Sequence, residues 1–327
     1  MNEIGDYQLA VLAFGAIAFG LFLLIKGGDW TIDAAAFIAE RAGLSKLFIG
    51  ATIVAFGTSA PELFTSVNAN LTGFPGISLG NIVGSNIANI LLIIGATAVI
   101  FTIQGKPSEL MRDMMMMLLA TVILVALMLY GVVPRWAGFG MFAILAAFVA
   151  YQYFRDEGAA EGDEHDEDVD EKGIDSIGKG LGFFVAGLTA LVVGSEMLVQ
   201  GAVAAGTAIG VPEAVIGLTV VAVGTSLPEL STCIAAALKR QTNMIIGNIV
   251  GSNVFNILSI IGITAMIKPL VIDETLVDLD MWFMAGVTVA FAAWMLTVSR
   301  VGRPLGFAML AIYFAFTIYT YQSLLLA

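Results

Sequence analysis

The heptapeptide GTSAPEL at residues 57–63 returns as GTSLPEL at residues 224–230, each time inside an apolar run that reads as membrane-crossing. A proline and a glutamate side by side are expensive in hydrocarbon, so their repetition asks for a physical reason. Shifted by 167, residues 46–100 align with residues 213–267 without a gap, and 30 of the 55 positions are identical. The blocks GNIVGSNIANILLIIG (80–95) and GNIVGSNVFNILSIIG (247–262) carry the match onward, and KGGDW (26–30) pairs with VGSEM (193–197), which sets Asp29 against Glu196. The chain is one unit written twice, and this decides the architecture.

Composition says where the unit lives. Of 327 residues, 59% are hydrophobic and 12% charged, an excess that must face lipid. Ten stretches can span: roughly 9–26, 47–70, 76–101, 114–131, 136–154, 177–203, 214–238, 244–267, 281–299 and 304–325. They lack the alternation of barrel strands, so they are expected to be helices. The acidic start, MNEIGDYQ, carries no cleavage pattern after its apolar run and reads as leading into a first helix rather than a removed signal peptide. Five spans per repeat is an odd number, so the second copy inserts upside down. The expected fold is an all-α integral membrane protein with ten transmembrane helices as two inverted five-helix repeats, 1–155 and 176–327, joined by an acidic linker at 156–175. Such repeats belong to secondary transporters, with the substrate site at mid-membrane between the halves.

Lysine and arginine set the orientation. With the N-terminus outside, twelve of the 14 basic residues fall on the inner side, and only Arg135 and Lys268 fall outside. Both termini are expected outside, with the 156–175 loop cytoplasmic, in a cell (inner) membrane. The net charge of −12 is concentrated in that loop, which holds eleven of the 26 acids. Its composition reads as a solvated linker; it lacks the ordered turn of an EF-hand, and it suggests no nucleic-acid partner. It also contains His165, the single histidine, so a histidine-based metal site or proton relay in the membrane is excluded. The single cysteine, Cys233, cannot form an internal disulfide and reads as a small packing residue.

Glu62 lies about fifteen residues into the second span, and Glu229 holds the matching place in the seventh. Pro61 and Pro228 each remove a backbone donor and disturb the preceding turn, which is expected to free carbonyls near Ala55 to Thr58 and near Ala222 to Thr225. Such carbonyls cannot face lipid but can face a cation. Thr58, Ser59, Thr225 and Ser226 add hydroxyls; Asn81, Ser85, Asn86 and Asn89, with Asn248, Ser252, Asn253 and Asn256, add more oxygens from the next span of each half. An all-oxygen set suits hard cations such as Ca²⁺ and Na⁺ and not zinc, copper or iron. The two carboxylates carry −2, which one Ca²⁺ or two Na⁺ neutralise. Close together and poorly solvated they repel, so protons are expected to compete with the metal. Asn86 and Asn253 also fit plain helix-to-helix bonds, Met114–Met117 fit lipid-facing or packing filler, and Asp29 and Glu196 fit positions near helix ends.

With both blocks doubled, the chain resembles the sodium/calcium exchanger family of the cation/calcium antiporter superfamily, over essentially its whole length. The resemblance implies a prokaryotic antiporter that exchanges Na⁺ for Ca²⁺ by alternating access, with no cofactor and no enzymatic activity. It implies that Glu62 and Glu229 are shared central ligands of both ions, with Ala55, Thr58, Ser59, Ser85 and Asn89 in the first repeat and Ala222, Thr225, Ser226, Ser252 and Asn256 in the second. Some relatives carry aspartate where this chain has Asn256, and asparagine favours potassium independence. A Ca²⁺/H⁺ antiporter is the main alternative, since protons can also discharge two glutamates; a potassium-dependent exchanger is another. A Ca²⁺ channel fits the inverted repeat less well. A membrane enzyme lacks a nucleophile–base pair.

Overall fold

The computed structural model describes residues 3–156, 174–208, 224–272 and 279–326, and it is helical nearly throughout. In chain order the helices are α1 (Glu3–Ala42), α2 (Lys46–Thr58), α3 (Ala60–Leu71), α4 (Pro75–Ile100), α5 (Pro107–Tyr130) and α6 (Arg135–Asp156). They continue as α7 (Ile177–Ala208), α8 (Leu227–Leu238), α9 (Thr242–Ile267), α10 (Asp280–Thr297) and α11 (Arg303–Leu326). Among the described residues, eight helices are long and apolar enough to cross a membrane; α2 and α3 make a ninth candidate, bent by 45° between them. The seventh expected span, 214–238, is represented by α8, and its first part lies outside the described residues, as do residues 157–173 of the acidic linker.

α1 departs most from expectation. It continues to Ala42 where the apolar run suggested an end near residue 26, because Gly27 and Gly28 are demanded by close packing rather than by a turn. A Cβ on Gly27 would sit 2.9 Å from the Gly187 carbonyl oxygen, and one on Gly28 would sit 2.9 Å from that of Ser231. Asp29 and Glu196 therefore stand inside long helices and not near their ends. α1 runs antiparallel to α7 on small residues: Gly20 meets Gly194, Gly27 meets Gly187, and Ala13 meets Gly201. Such close approach lets two helix backbones pack without large side chains.

The layers follow from burial. The most apolar windows of α4 and α9 are 78% and 89% buried, against 11% for α11, so α4 and α9 form the centre of the bundle. Gly247 and Gly251 of α9 press against the backbone of α2, at Leu47 and Ala51. Two short antiparallel pairs tie distant segments together. Ile103–Gln104 (β1) pairs with Arg300–Val301 (β4), and Val132–Val133 (β2) pairs with Leu270–Val271 (β3). At the offset of 167, β1 corresponds to β3, so each pair joins one half of the chain to the other.

Candidate ion-binding site

Helices are interrupted where the polar residues lie. Between α2 and α3 the backbone leaves the helix at Ser59 (φ −83°, ψ 9°), and Ser226, which caps the start of α8, has the same conformation (φ −90°, ψ 7°). Pro61 and Pro228 then occupy the first turns of α3 and α8, where a missing N–H costs nothing. The central helices are widened instead: π-helical turns run from Asn89 to Ile93 in α4 and from Asn256 to Ile261 in α9, so each begins at a candidate ligand. A third occupies Gly50–Val54, one residue ahead of Ala55. Single π-turns of this kind shift the register of the backbone and recur at functional sites.

These breaks bring the two halves together through reciprocal bonds. The Ser59 hydroxyl donates to Glu229 Oε1 at 2.9 Å, and the Ser226 hydroxyl lies 3.5 Å from Glu62 Oε1. Asn89 Nδ2 donates to Asn253 Oδ1 at 3.0 Å, and Asn256 Nδ2 donates to Asn86 Oδ1 at 3.1 Å. Behind them, Asn253 Nδ2 reaches Met117 Sδ (3.7 Å) and Asn86 Nδ2 reaches Met284 Sδ (4.0 Å). Every one of these pairs has a mate at the offset of 167. The Thr58 hydroxyl faces the Val54 and Ala55 carbonyls and Asn248 Oδ1 at 3.4 Å; the residues that would correspond to Val54 and Ala55 in the second half lie outside the described residues, and among the described ones Thr225 Oγ1 has no partner.

Both glutamates are 1% exposed, and Thr58, Ser59, Ser226, Ser252, Asn89 and Asn256 are buried with them, while Asn81 and Thr225 are half-buried. What distinguishes the cluster is which atoms lack a donor. Glu62 Oε2, Glu229 Oε2, Asn89 Oδ1, Asn256 Oδ1, Ser252 Oγ and Thr225 Oγ1 are all buried with no hydrogen-bond partner among the described residues. Leaving such a group unsatisfied costs roughly 1–3 kcal/mol, and more for a charged one. Oxygens left without donors in this way suit a hard cation. Ser85 is buried at 4% in the same region.

Several expectations are sharpened. Ala55 is not left with a bare carbonyl. It accepts the Ser59 N–H at 3.1 Å, because the break falls at Ser59, after that bond has closed. The Thr58 hydroxyl also approaches that oxygen, at 3.3 Å. Its counterpart Ala222 lies outside the described residues. Asn86 and Asn253 do bond helix to helix, and in doing so they aim the amides of Asn256 and Asn89. Met117 is more than filler, since it is fully buried behind Asn253. It stands 167 residues before Met284, and that offset is the signal that could have found both. Cys233 packs as expected and takes a 3.4 Å contact from Asn248 Nδ2. Ser66 bonds Asn81 Nδ2 at 3.0 Å, while Asn68 is exposed beside a cleft of about 660 Å³.

Buried carboxylates at paired helix breaks, inside a lipid-facing helical bundle, define a membrane transporter for a cation. The particular family follows from comparison. The family model described as sodium/calcium exchanger protein matches residues 12–154 and 179–322. The sodium/calcium exchanger MaX1 of Methanosarcina acetivorans is 29% identical over 341 residues, covering 93% of this chain and 97% of that protein. The inner membrane protein YrbG of Escherichia coli is 32% identical over 296 residues, covering 86% and 88%. Among solved structures, the sodium-calcium exchanger NCX_Mj soaked with Na⁺ and Ca²⁺ superposes with a TM-score of 0.81 at 30% identity, covering 93% of this chain and 97% of that one. The chain belongs to the sodium/calcium exchanger family: it is a multi-pass membrane antiporter for Ca²⁺ and a counter-cation, and not an enzyme.

Proposed function

We propose that the protein exchanges Na⁺ for Ca²⁺ by alternating access, and that Glu62 and Glu229 are central ligands which both ions share in turn. The observation that carries this reading is the pair of buried carboxylate oxygens, Glu62 Oε2 and Glu229 Oε2, left without donors while each sister oxygen faces a serine from the opposite half. Their combined −2 matches one Ca²⁺ or two Na⁺, and either load discharges the site for crossing. Asn89 and Asn256 supply amide oxygens held by Asn253 and Asn86. Thr58, Thr225, Ser59, Ser226, Ser85 and Ser252 supply hydroxyls, and Ala55 and Ala222 supply carbonyls. The printed name of MaX1 and the Na⁺, Ca²⁺ and Sr²⁺ soaks of NCX_Mj support the choice of ions.

The reading includes ten spans in two inverted repeats, 1–155 and 176–327, with 156–175 as a cytoplasmic linker and both termini outside. Reciprocal bonding at the offset of 167 supports it, as does the skew of lysine and arginine. Potassium independence is the subtype we favour, since Asn256 adds no third charge. The test is ⁴⁵Ca²⁺ uptake into proteoliposomes loaded with Na⁺. Uptake should require an outward Na⁺ gradient, should not need K⁺, and should not be driven by a proton gradient alone. Uptake driven as well by protons would favour the Ca²⁺/H⁺ alternative.

A further inference from the structure

At the offset of 167 the two ends of the bundle should match, and in one respect they do not. α1 packs along α8, whereas its counterpart α7 makes no comparable contact with α3. On the packed side Lys239, just past α8, reaches into α1. Its Nζ lies 2.7 Å from Asp33 Oδ1, 3.5 Å from Asp29 Oδ1 and 3.0 Å from the Asp29 carbonyl oxygen. The lysine and Asp33 side chains are 27% and 25% exposed, so the bridge is half-buried.

The corresponding residues at the other end are Glu196, Gln200 and Thr72. Among the described residues no cation pairs with them. Gln200 Nε2 donates to Glu196 Oε1 within α7, and the Thr72 hydroxyl turns back onto the Asn68 carbonyl within its own helix. Accessibility follows the same division. Thr65 and Asn68 are exposed and line the 660 Å³ cleft together with Thr72. Their counterparts Thr232 and Ala235 are 0% and 5% exposed under α1. Lys268 does bond Asn70 at the cleft end, but that link ties α3 to the end of α9 and does not involve α7.

We propose that Lys239, with Asp29 and Asp33, is a one-sided latch that fixes α1 over α8 and thereby sets which side of the membrane the ion site faces at rest. Lys239 is a positioning residue for transport; it touches no candidate ion ligand. In an inverted-repeat transporter the two facings interconvert by exchanging the environments of the two halves. Without a latch they would be nearly balanced; a bridge present at one end alone biases the population toward closure there. On the orientation proposed above, the latched end is cytoplasmic and the cleft opens outward. The inference rests on the alternating-access reading.

Cysteine reactivity tests it in the full-length protein in detergent, in a Cys233→Ser background, which installs the residue the first half carries at Ser66. Asn68→Cys reports the cleft end and Ala235→Cys the latched end, each probed with a charged maleimide. Lys239→Gln should speed modification at Ala235→Cys about fivefold and slow it at Asn68→Cys, the shift expected of an ion pair at the strong end of the partly exposed range. Asp33→Asn should do the same, and Lys239→Arg should leave both rates as in the parent. An unchanged Ala235→Cys rate in Lys239→Gln and Asp33→Asn overturns the latch, and so does faster modification at both positions, which would mean loosening rather than exchange. Saturating Ca²⁺ or Na⁺ separates this failure from a deeper one. If ions move the two rates in opposite directions but Lys239 does not, only the latch falls. If neither position responds to ions in any variant, alternating access falls with it.

Discussion

Asn253→Ala isolates the role of an amide that the site uses only indirectly. Asn253 Oδ1 accepts the Asn89 amide at 3.0 Å, which leaves Asn89 Oδ1 buried and without a donor, available to an ion. Truncating Asn253 strands the Asn89 Nδ2 donor in a buried position, a penalty of roughly 1–3 kcal/mol, and frees the amide to turn its oxygen away. If most of that appears as lost ion coordination, the apparent Ca²⁺ dissociation constant should rise about 5- to 150-fold. The lost contact with Met117 Sδ at 3.7 Å is weak and adds little. Calorimetric titration of purified protein with Ca²⁺ reads the change, and a thermal unfolding curve controls for global damage. Asn89→Ala should weaken binding by a similar amount, and the double variant should be no worse than either single one, because both changes remove one shared arrangement. Unchanged affinity in Asn253→Ala alongside a loss in Asn89→Ala would refute the positioning argument.

Three further outcomes are expected. Replacing the acids of 156–175 with serine and glycine should preserve Na⁺-dependent Ca²⁺ uptake, because those charges lie outside both repeats; loss of Na⁺ dependence would mark the segment as a sensor. Lowering pH from about 7.5 to about 4.5 should weaken apparent Ca²⁺ affinity at fixed Na⁺, since a proton on either buried carboxylate removes charge the ion needs, and raising Ca²⁺ should restore uptake; a flat profile down to the free-glutamate range would contradict this competition. Gly194→Val should lower the unfolding midpoint, because a Cβ there would meet the Gly20 carbonyl oxygen and Leu23 Cβ at 2.8 Å, an overpacking cost of about 1–3 kcal/mol; an unaltered midpoint would mean α1 and α7 do not pack as described.

The parts of the fold that were legible in sequence are those where chemistry contradicts a membrane setting. A glutamate after a proline marked the breaks at Ser59 and Ser226, and repetition at 167 converted two oddities into one site. The length of α1 was not legible, because Gly27, Gly28 and Asp29 look like a helix end unless the helices against them are known. Nor could sequence separate an asparagine proposed to hold an ion from one that positions another asparagine. Asn86 and Asn89 are both buried amides in one helix, and only the bonds to Asn256 and Asn253 assign them different tasks. The bridge from Lys239 to Asp33 spans 206 residues, and at the offset of 167 Thr72 and Gln200 stand in the corresponding places, so the repeat itself concealed it.

The most direct test of the two-carboxylate site is ⁴⁵Ca²⁺ uptake into Na⁺-loaded proteoliposomes carrying Glu62→Gln or Glu229→Gln. Each substitution keeps the side-chain shape and removes half of the charge available to the ion. Both variants should reconstitute as folded protein and show no Na⁺-driven Ca²⁺ uptake above empty liposomes. Uptake at the parent rate by either variant would contradict the claim that Glu62 and Glu229 together carry the ion.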